Sequence, residues 1–391
     1  MKIAFITRGF TGSVLPLMKQ MIADSHQVDL YVICNRKELD DVEAFECEYS
    51  ASRVGLRFVP DNYWKSTAMY LNGGRFFCLR FLRPFESIPI LGRIIGFINR
   101  RLSYRAIGFI NSQKYDMVNI VCGYYSSEYL PFIERLTVKP TISLHEVCNH
   151  FQPEYSKPSP LLSTIFKNNL NIILYSDNTY KDILNYKEVN RGHLHRINFG
   201  FFNSYLSVPE DYNLVLPPKY VLFFGTLKQY KGLGVLYDAI TKYDALPSDF
   251  KCVVAGAGQD VSFDMMKENE RFVCIQKRLS NGELVHLIKN SYVVLCPYLT
   301  VSQSGIPQTV FVFKKPIVAS RLGGFTEILN DENSVLFETG NAVELANGIK
   351  KLLSDRRHYD TLIENIDKLE QSSSPFSWKY IAKRYYTLVS L

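Results

Sequence analysis

At 391 residues the chain is longer than one hydrophobic core usually serves, so two domains of ordinary size are expected and a small scaffold stapled by disulfides is excluded. Hydrophobic content of 47%, charged content of 21% and an aromatic share of 14% exclude a disordered chain. The net charge of +7 is uneven: residues 1–198 carry 24 Lys/Arg against 18 Asp/Glu, residues 199–391 carry 21 against 20. A local positive excess attracts nucleic acid, anionic lipid or phosphorylated ligands, and charge alone does not choose among them.

Residues 3–7 (IAFIT) read as a strand, RGFTGS as a glycine loop, and Leu15, Leu17, Met18, Met21 and Ile22 as the apolar face of a helix. Further strands are VDLYVIC (28–34), MVNIVCG from Met117, PTISLH from Pro140 and NIILYS from Asn171. Continuous apolar runs alternating with helical segments predict a parallel sheet covered on both faces. The same grammar starts again at KYVLFFG (219–225) and continues through KCVVAGAG, FVCIQK, SYVVLCPY and KPIVAS. Between the two series, Pro209, Pro217 and Pro218 suit an extended linker. The expected division is a first domain over 1–202, a linker over 203–218, a second domain over 219–370 and a closing helix over 371–391 that crosses back to the first domain. Ser280 with Glu283 and Asn341 with Glu344 have capping-box spacing, and Pro307 suits a first helical turn.

The eight cysteines form no C-x-x-C pair and are expected as buried free thiols. Arg8 interrupts the apolar N-terminal stretch and Arg93 breaks IPILGRIIGFI, so a cytoplasmic protein that meets a membrane only from the side is expected. His193 and His195 lack neighbouring cysteine or carboxylate ligands, and no metal site is expected.

Three segments carry chemistry. GTLKQYKGLGVL (225–236) follows a strand and opens a helix, an arrangement that brings bare amides and Lys231, with Lys228, to a phosphate; the plain alternative is a turn with solvated lysines. AGAG, with Gly256 and Gly258, is a tight strand-end turn. Pro297 to Leu329 holds a polar loop (Ser302, Gln303, Ser304, Gly305), a helix, a strand, and then Gly323, Gly324 and Glu327; loops of small residues make an anion cradle.

The order GTLKQYKGL, VVAGAG, VVLCPY with SQSG, then KPIVASRLGGFTE, resembles the donor half of retaining GT-B glycosyltransferases of family 4. FSWKYIAKRYYTL resembles the closing helix of that family, and SLHEV resembles its His-Asp segment more loosely. The resemblance implies an α/β fold of GT-B type: two Rossmann-like, doubly wound parallel-sheet domains facing a central cleft. It implies donor contacts at Gly225, Thr226, Lys228, Lys231, Gly256, Gly258, Gln303, Ser304, Gly305, Thr309 and Glu327, with Lys231 on the diphosphate. Gly9, Phe10 and Gly12 would face the acceptor, and His145 would reach the transferred sugar, so His145 and Lys231 are the catalytic candidates.

Departures from the family matter as well. Thr226 stands where the family often has arginine, and the glutamate pair of the family falls on Val301 and Thr309, so Ser302, Gln303 and the Thr309 hydroxyl are the available substitutes. The resemblance implies metal-independent transfer, with no cofactor beyond the nucleotide-diphosphate sugar as co-substrate, and with the leaving phosphate taking the acceptor proton. The expected acceptor is a glycan, lipid-linked, in bacterial surface polysaccharide (O-antigen or capsule) synthesis. A GT-B nucleotide-sugar epimerase and a non-catalytic sugar-nucleotide-binding protein are the rivals.

Residues 64–107 hold Lys65 and seven arginines against Glu86 alone, interleaved with aromatic residues. Trp64, Arg75, Arg80, Arg83, Arg93, Arg100 and Arg101 are therefore expected to face an anionic membrane surface. The alternative is an ordinary insertion with solvated arginines and buried phenylalanines. No nucleic-acid-binding motif is present, so no nucleic-acid partner is expected.

Overall fold

Two sheets organise the chain in a computed structural model that describes residues 1–35, 47, 53–83, 89–148, 157–301 and 303–388. The first unit runs β1 (Lys2–Thr7), α1 (Thr11–Ala23), β2 (Gln27–Cys34), β3 (Gly55–Val59), α2 (Lys65–Leu71), β4 (Arg75–Arg80), α3 (Pro89–Ser112) and β5 (Met117–Cys122). It continues with α4 (Leu130–Arg135), β6 (Thr141–Leu144), α5 (Pro160–Lys167), β7 (Ile172–Leu174), α6 (Asp177–Ile183) and β8 (Leu194–Arg196). Among the described residues its sheet has the order β3-β4-β2-β1-β5-β6-β7-β8, parallel except for the edge strand β3. Ile3 pairs with Val28 on one side of β1 and with Met117 on the other, and all of β5 is buried, as a strand covered on both faces requires.

The second unit runs β9 (Tyr220–Phe224), α7 (Leu233–Thr241), β10 (Lys251–Gly256), α8 (Val261–Lys267), β11 (Phe272–Gln276), α9 (Asn281–Asn290) and β12 (Val294–Cys296). Then follow α10 (Ile306–Val312), β13 (Ile317–Ser320), α11 (Gly323–Thr326), β14 (Val335–Phe337), α12 (Ala342–Ser354) and α13 (Arg356–Leu369). Its parallel sheet has the order β11-β10-β9-β12-β13-β14. In each sheet the strand order reverses once, at β1/β5 and at β9/β12, and the loops leaving those strands are where open α/β sheets hold ligands.

The units divide at Gly200/Phe201 and again at Ser377/Trp378. The stretch expected as a linker groups with the second unit. Residues 203–207 form a short 3-10 turn with Ser204 and Tyr205 buried, Phe202 N–H donates to the Gln308 carbonyl at 3.1 Å, and Glu210 meets Lys289 at 2.6 Å. Apolar Phe201, Phe202 and Tyr205 seat this stretch in the second unit, which the prolines alone did not announce. A final helix, α14 (Trp378–Tyr386), groups with the first unit: the Tyr385 hydroxyl meets those of Ser143 (3.0 Å) and Tyr175 (2.6 Å).

Local chemistry sets several element ends. Ser280 and Glu283 form the reciprocal capping box, while Asn341 accepts from Glu344 N–H and Glu344 turns its carboxylate to Glu338 N–H instead. None of the eight cysteines is in a disulfide; five are buried as expected, while Cys34, Cys47 and Cys274 are only partly buried. His193 and His195 both contact Asn171 Oδ1 at 3.1 Å, a structural use of the pair. No helix among the described residues is long and apolar enough to cross a membrane.

The set of residues expected to face a membrane needs correction. Trp64 is buried and packs on Phe76, with ring centroids 5.4 Å apart. Arg75 makes a two-pronged pair with Asp29, at 2.9 and 2.5 Å, and Tyr115 donates to the same fully buried carboxylate. Arg80 is half-buried at the end of β4. These two arginines flank the buried FFCL of a strand. Arg83, Arg93, Arg100 and Arg101 are exposed, and Phe85 and Glu86 lie outside the described residues. We expect Arg75→Ala to strand the Asp29 charge and lower stability by about 3 kcal/mol, read from the shift of a urea unfolding midpoint.

Candidate functional site

In the second unit the donor-side candidates gather where the chain leaves β9 and β12. The loop after β9 runs beside the loop after β10, held by Gly225 N–H to Ala255 O (3.0 Å) and Leu227 N–H to Ala257 O (2.8 Å). Such approach leaves no room for side chains: a Cβ on Gly256 would lie 1.7 Å from the Gly225 carbonyl oxygen, and one on Gly258 2.4 Å from that of Leu227. Gly256 and Gly258 thus have a packing task that is independent of any ligand. Gly232 has φ 70° and approaches the Pro297 carbonyl in the same way, while Leu299 N–H donates to Tyr230 O at 2.8 Å, so the β12 loop joins the other two.

Lys231 ends the 3-10 turn Gln229–Lys231 with its ammonium 3.8 Å from the centroid of the Tyr298 ring and 5.1 Å from that of Tyr230. Burial pulls its pKa down to about 8, and among the described residues no carboxylate pairs with it. Among the described residues the hydroxyl of Tyr298, whose ring lies under this ammonium, is buried without a hydrogen-bond partner, as are Gln303 Oε1 and Gln308 Oε1 in the loop and helix that follow β12. A desolvated cation on the face of a tyrosine whose hydroxyl is unpaired is short of a polar, anionic ligand.

Other candidates are less committed to such a ligand. Thr226 and Lys228 are exposed. The Thr309 hydroxyl donates to the Gly305 carbonyl of its own helix at 2.9 Å, and Val301 packs on the core of its unit. Ser304 Oγ accepts from Ile306 N–H at 3.3 Å, and a Cβ on Gly305 would press on the Phe202 ring at 2.8 Å. Pro307, in the first turn of α10, has no N–H to leave unpaired. Glu327 follows α11, whose Phe325 ring packs on Tyr298 at 5.1 Å. Ser302 lies outside the described residues. Sequence reasoning misses Tyr298 and Gln308, because a tyrosine closing an apolar strand and a glutamine beside Pro307 look like ordinary core and helix positions.

The first unit holds a separate constellation at the carboxyl ends of β1 and β6. Phe10, with φ 58°, is in the left-handed region, which costs a side-chain-bearing residue about 1–2 kcal/mol. Its ring stacks on His145 with centroids 3.8 Å apart and planes at 11°. Tyr175 (5.0 Å) and Phe199 (5.2 Å) complete the surround, and His145 N–H donates to Cys122 O at 3.0 Å. Burial lowers the imidazole pKa to about 3, and Nε2 is buried without a partner among the described residues. His145 is therefore neutral at physiological pH and can give or take one hydrogen bond there. A Cβ added at Gly9 would meet nothing within 4 Å. Gly12 corrects the expectation: α1 begins at Thr11, so Gly12 is buried in its first turn and is not part of a loop.

Comparison with known proteins gives three findings. Residues 208–369 match the family model described as Glycosyl transferases group 1. An uncharacterized glycosyltransferase of Methanocaldococcus jannaschii, MJ1178, is 27% identical over 171 residues, and the match spans 43% of this chain and 45% of that protein, so the chain spans under half the length of this relative. Among solved structures, Anabaena HepE in complex with UDP and glucose has a TM-score of 0.61 at 16% identity, covering all of both chains. Sucrose-phosphate synthase from Thermosynechococcus elongatus has a TM-score of 0.64 at 14% identity, covering 100% of this chain and 98% of that one. The two parallel-sheet units thus have the GT-B fold, and the second of them is similar to the Glycosyl transferases group 1 domain.

Proposed function

We propose that the protein is a glycosyltransferase that takes a sugar from a UDP-sugar and adds it, with retention, to a glycan. The observation that carries this reading is Lys231, a desolvated cation with no carboxylate partner among the described residues, set over the ring of Tyr298, whose hydroxyl is unpaired among them, on the segment that matches a glycosyltransferase model. UDP as the nucleotide is supported by structural neighbours captured with UDP and with UDP-glucose. In the transfer, the C1–O bond to the diphosphate breaks and the acceptor oxygen bonds to C1 on the same face. The acceptor hydroxyl proton passes to the departing phosphate oxygen. Lys231 and the Tyr298 hydroxyl are suited to the charge that develops on that phosphate, which removes the need for a metal in this reading. The neutral His145 offers Nε2 to a sugar hydroxyl without adding charge.

The acceptor belongs, in this reading, to a lipid-linked oligosaccharide on the cytoplasmic membrane face, in surface-polysaccharide synthesis; the resemblance and the basic residues near α3 support it. The test is product analysis by NMR after incubation with UDP-sugars and membrane lipid extract, with and without chelator. Acceptor-dependent transfer with retained configuration, unaffected by chelator, is expected. Interconversion of the UDP-sugar without acceptor would mark an epimerase, and binding without turnover a sugar-nucleotide-binding protein.

A further inference from the structure

We propose that the face formed by α3 and β3 docks the first unit onto an anionic lipid bilayer; this extends the transferase reading, in which the acceptor is lipid-borne, and shares with it the basic residues near α3 but none of its donor-site residues. The 24 residues of α3 contain four arginines and no carboxylate. One side of the helix packs inward through Ile95, Ala106, Ile107 and Ile110. Along the other, at helical spacing, Ile90, Ile94, Phe97 and Ile98 are 72%, 51%, 60% and 36% exposed and are followed by exposed Arg101 and Arg105. A surface helix ordinarily turns its polar residues to water, whereas here apolar residues occupy the inner face and the outer face as well. The Arg101 guanidinium sits 4.9 Å from the Phe97 ring centroid, so charge and apolar surface are presented together.

Beside this ridge, between β3 and α3, lies a groove of about 360 Å³. Leu56, Phe77, Leu102 and Phe109 line it with exposed Arg57 and Arg105. An apolar slot next to two guanidinium groups fits an acyl chain below a phosphate headgroup. The charge also argues for lipid over a second copy of the chain, since a self-complementary contact would set the same arginines against each other. Docking would bring a cavity of about 580 Å³ to the lipid surface: Gly96, Asn99 and Arg100 of α3 line it together with Arg8, Asn35 and Leu82, residues just beyond the carboxyl ends of β1, β2 and β4.

The experiment is co-sedimentation of the full chain with phosphatidylcholine vesicles, with and without phosphatidylglycerol. Binding should require phosphatidylglycerol and weaken with salt. Arg101→Glu/Arg105→Glu should bind at least about 25-fold more weakly, given about fivefold per arginine removed. Ile94→Ser/Phe97→Ser should weaken binding even at low salt. All four positions are exposed, and unchanged melting temperatures verify the fold. Sedimentation indifferent to phosphatidylglycerol, or unaffected by both variants, would overturn the proposal. A dimer that Ile94→Ser/Phe97→Ser converts to monomer would also overturn it, by assigning the face to a second copy. Lys231→Ala should sediment as wild type, so a failure of the transferase reading leaves this result standing.

Discussion

Lys231→Ala should weaken UDP binding, or transfer from a UDP-sugar, by more than ~10-fold, because a charge-assisted contact contributes about 1.5–3 kcal/mol. The same lysine gives the affinity a pH signature. Its pKa in the free protein is near 8, and a bound diphosphate raises it, so above that value binding must take up a proton. UDP affinity should therefore be flat below about pH 8 and fall as pH rises, by up to roughly tenfold per unit. In Lys231→Ala that dependence should vanish. Isothermal titration of both proteins across this range checks it; equal affinities, or an unchanged pH profile in the variant, would remove Lys231 from the site.

The second large effect is expected at Gly232. Its φ of 70° disfavours any side chain, and an added Cβ would lie 1.8 Å from the Pro297 carbonyl oxygen, a backbone atom in the loop that carries Tyr298. Gly232→Ala should cost about 3 kcal/mol or more and shift Tyr298 from beneath the Lys231 ammonium. Gly9→Ala, with nothing within 4 Å of the new Cβ, should stay within about 0.5 kcal/mol of wild type. Urea unfolding of the two variants checks the contrast. A neutral Gly232→Ala would mean that the loops after β9 and β12 do not depend on this contact.

Much of the architecture is legible in the chain because parallel strands covered on both faces must be continuously apolar. KYVLFFG announces β9 for that reason, and VDLYVIC announces β2 in spite of Asp29. The strand β4 was hidden: its FFCL core is bracketed by Arg75 and Arg80, which suggests a cationic surface until Asp29, distant in sequence, is seen to claim Arg75. The helix α3 was hidden for the opposite reason, since its apolar residues lie on two faces and blur the periodicity. At the candidate site Lys231 stands out as a cation in a glycine loop after a strand. Tyr298 and Gln308 do not, because their unpaired polar atoms are a property of the folded surroundings and leave no mark in residue type. His145 is named by its place after β6, but its neutrality comes from the Phe10, Tyr175 and Phe199 rings, which only the fold brings together.

The most direct test of the central claim, that the second unit is built to hold a sugar-linked nucleoside diphosphate, is thermal unfolding of the wild-type chain in the presence of UDP, GDP or ADP. A ligand bound only by the folded state raises the melting temperature by mass action. UDP should give a saturating rise that Lys231→Ala abolishes. No shift with any of the three nucleotides would contradict it.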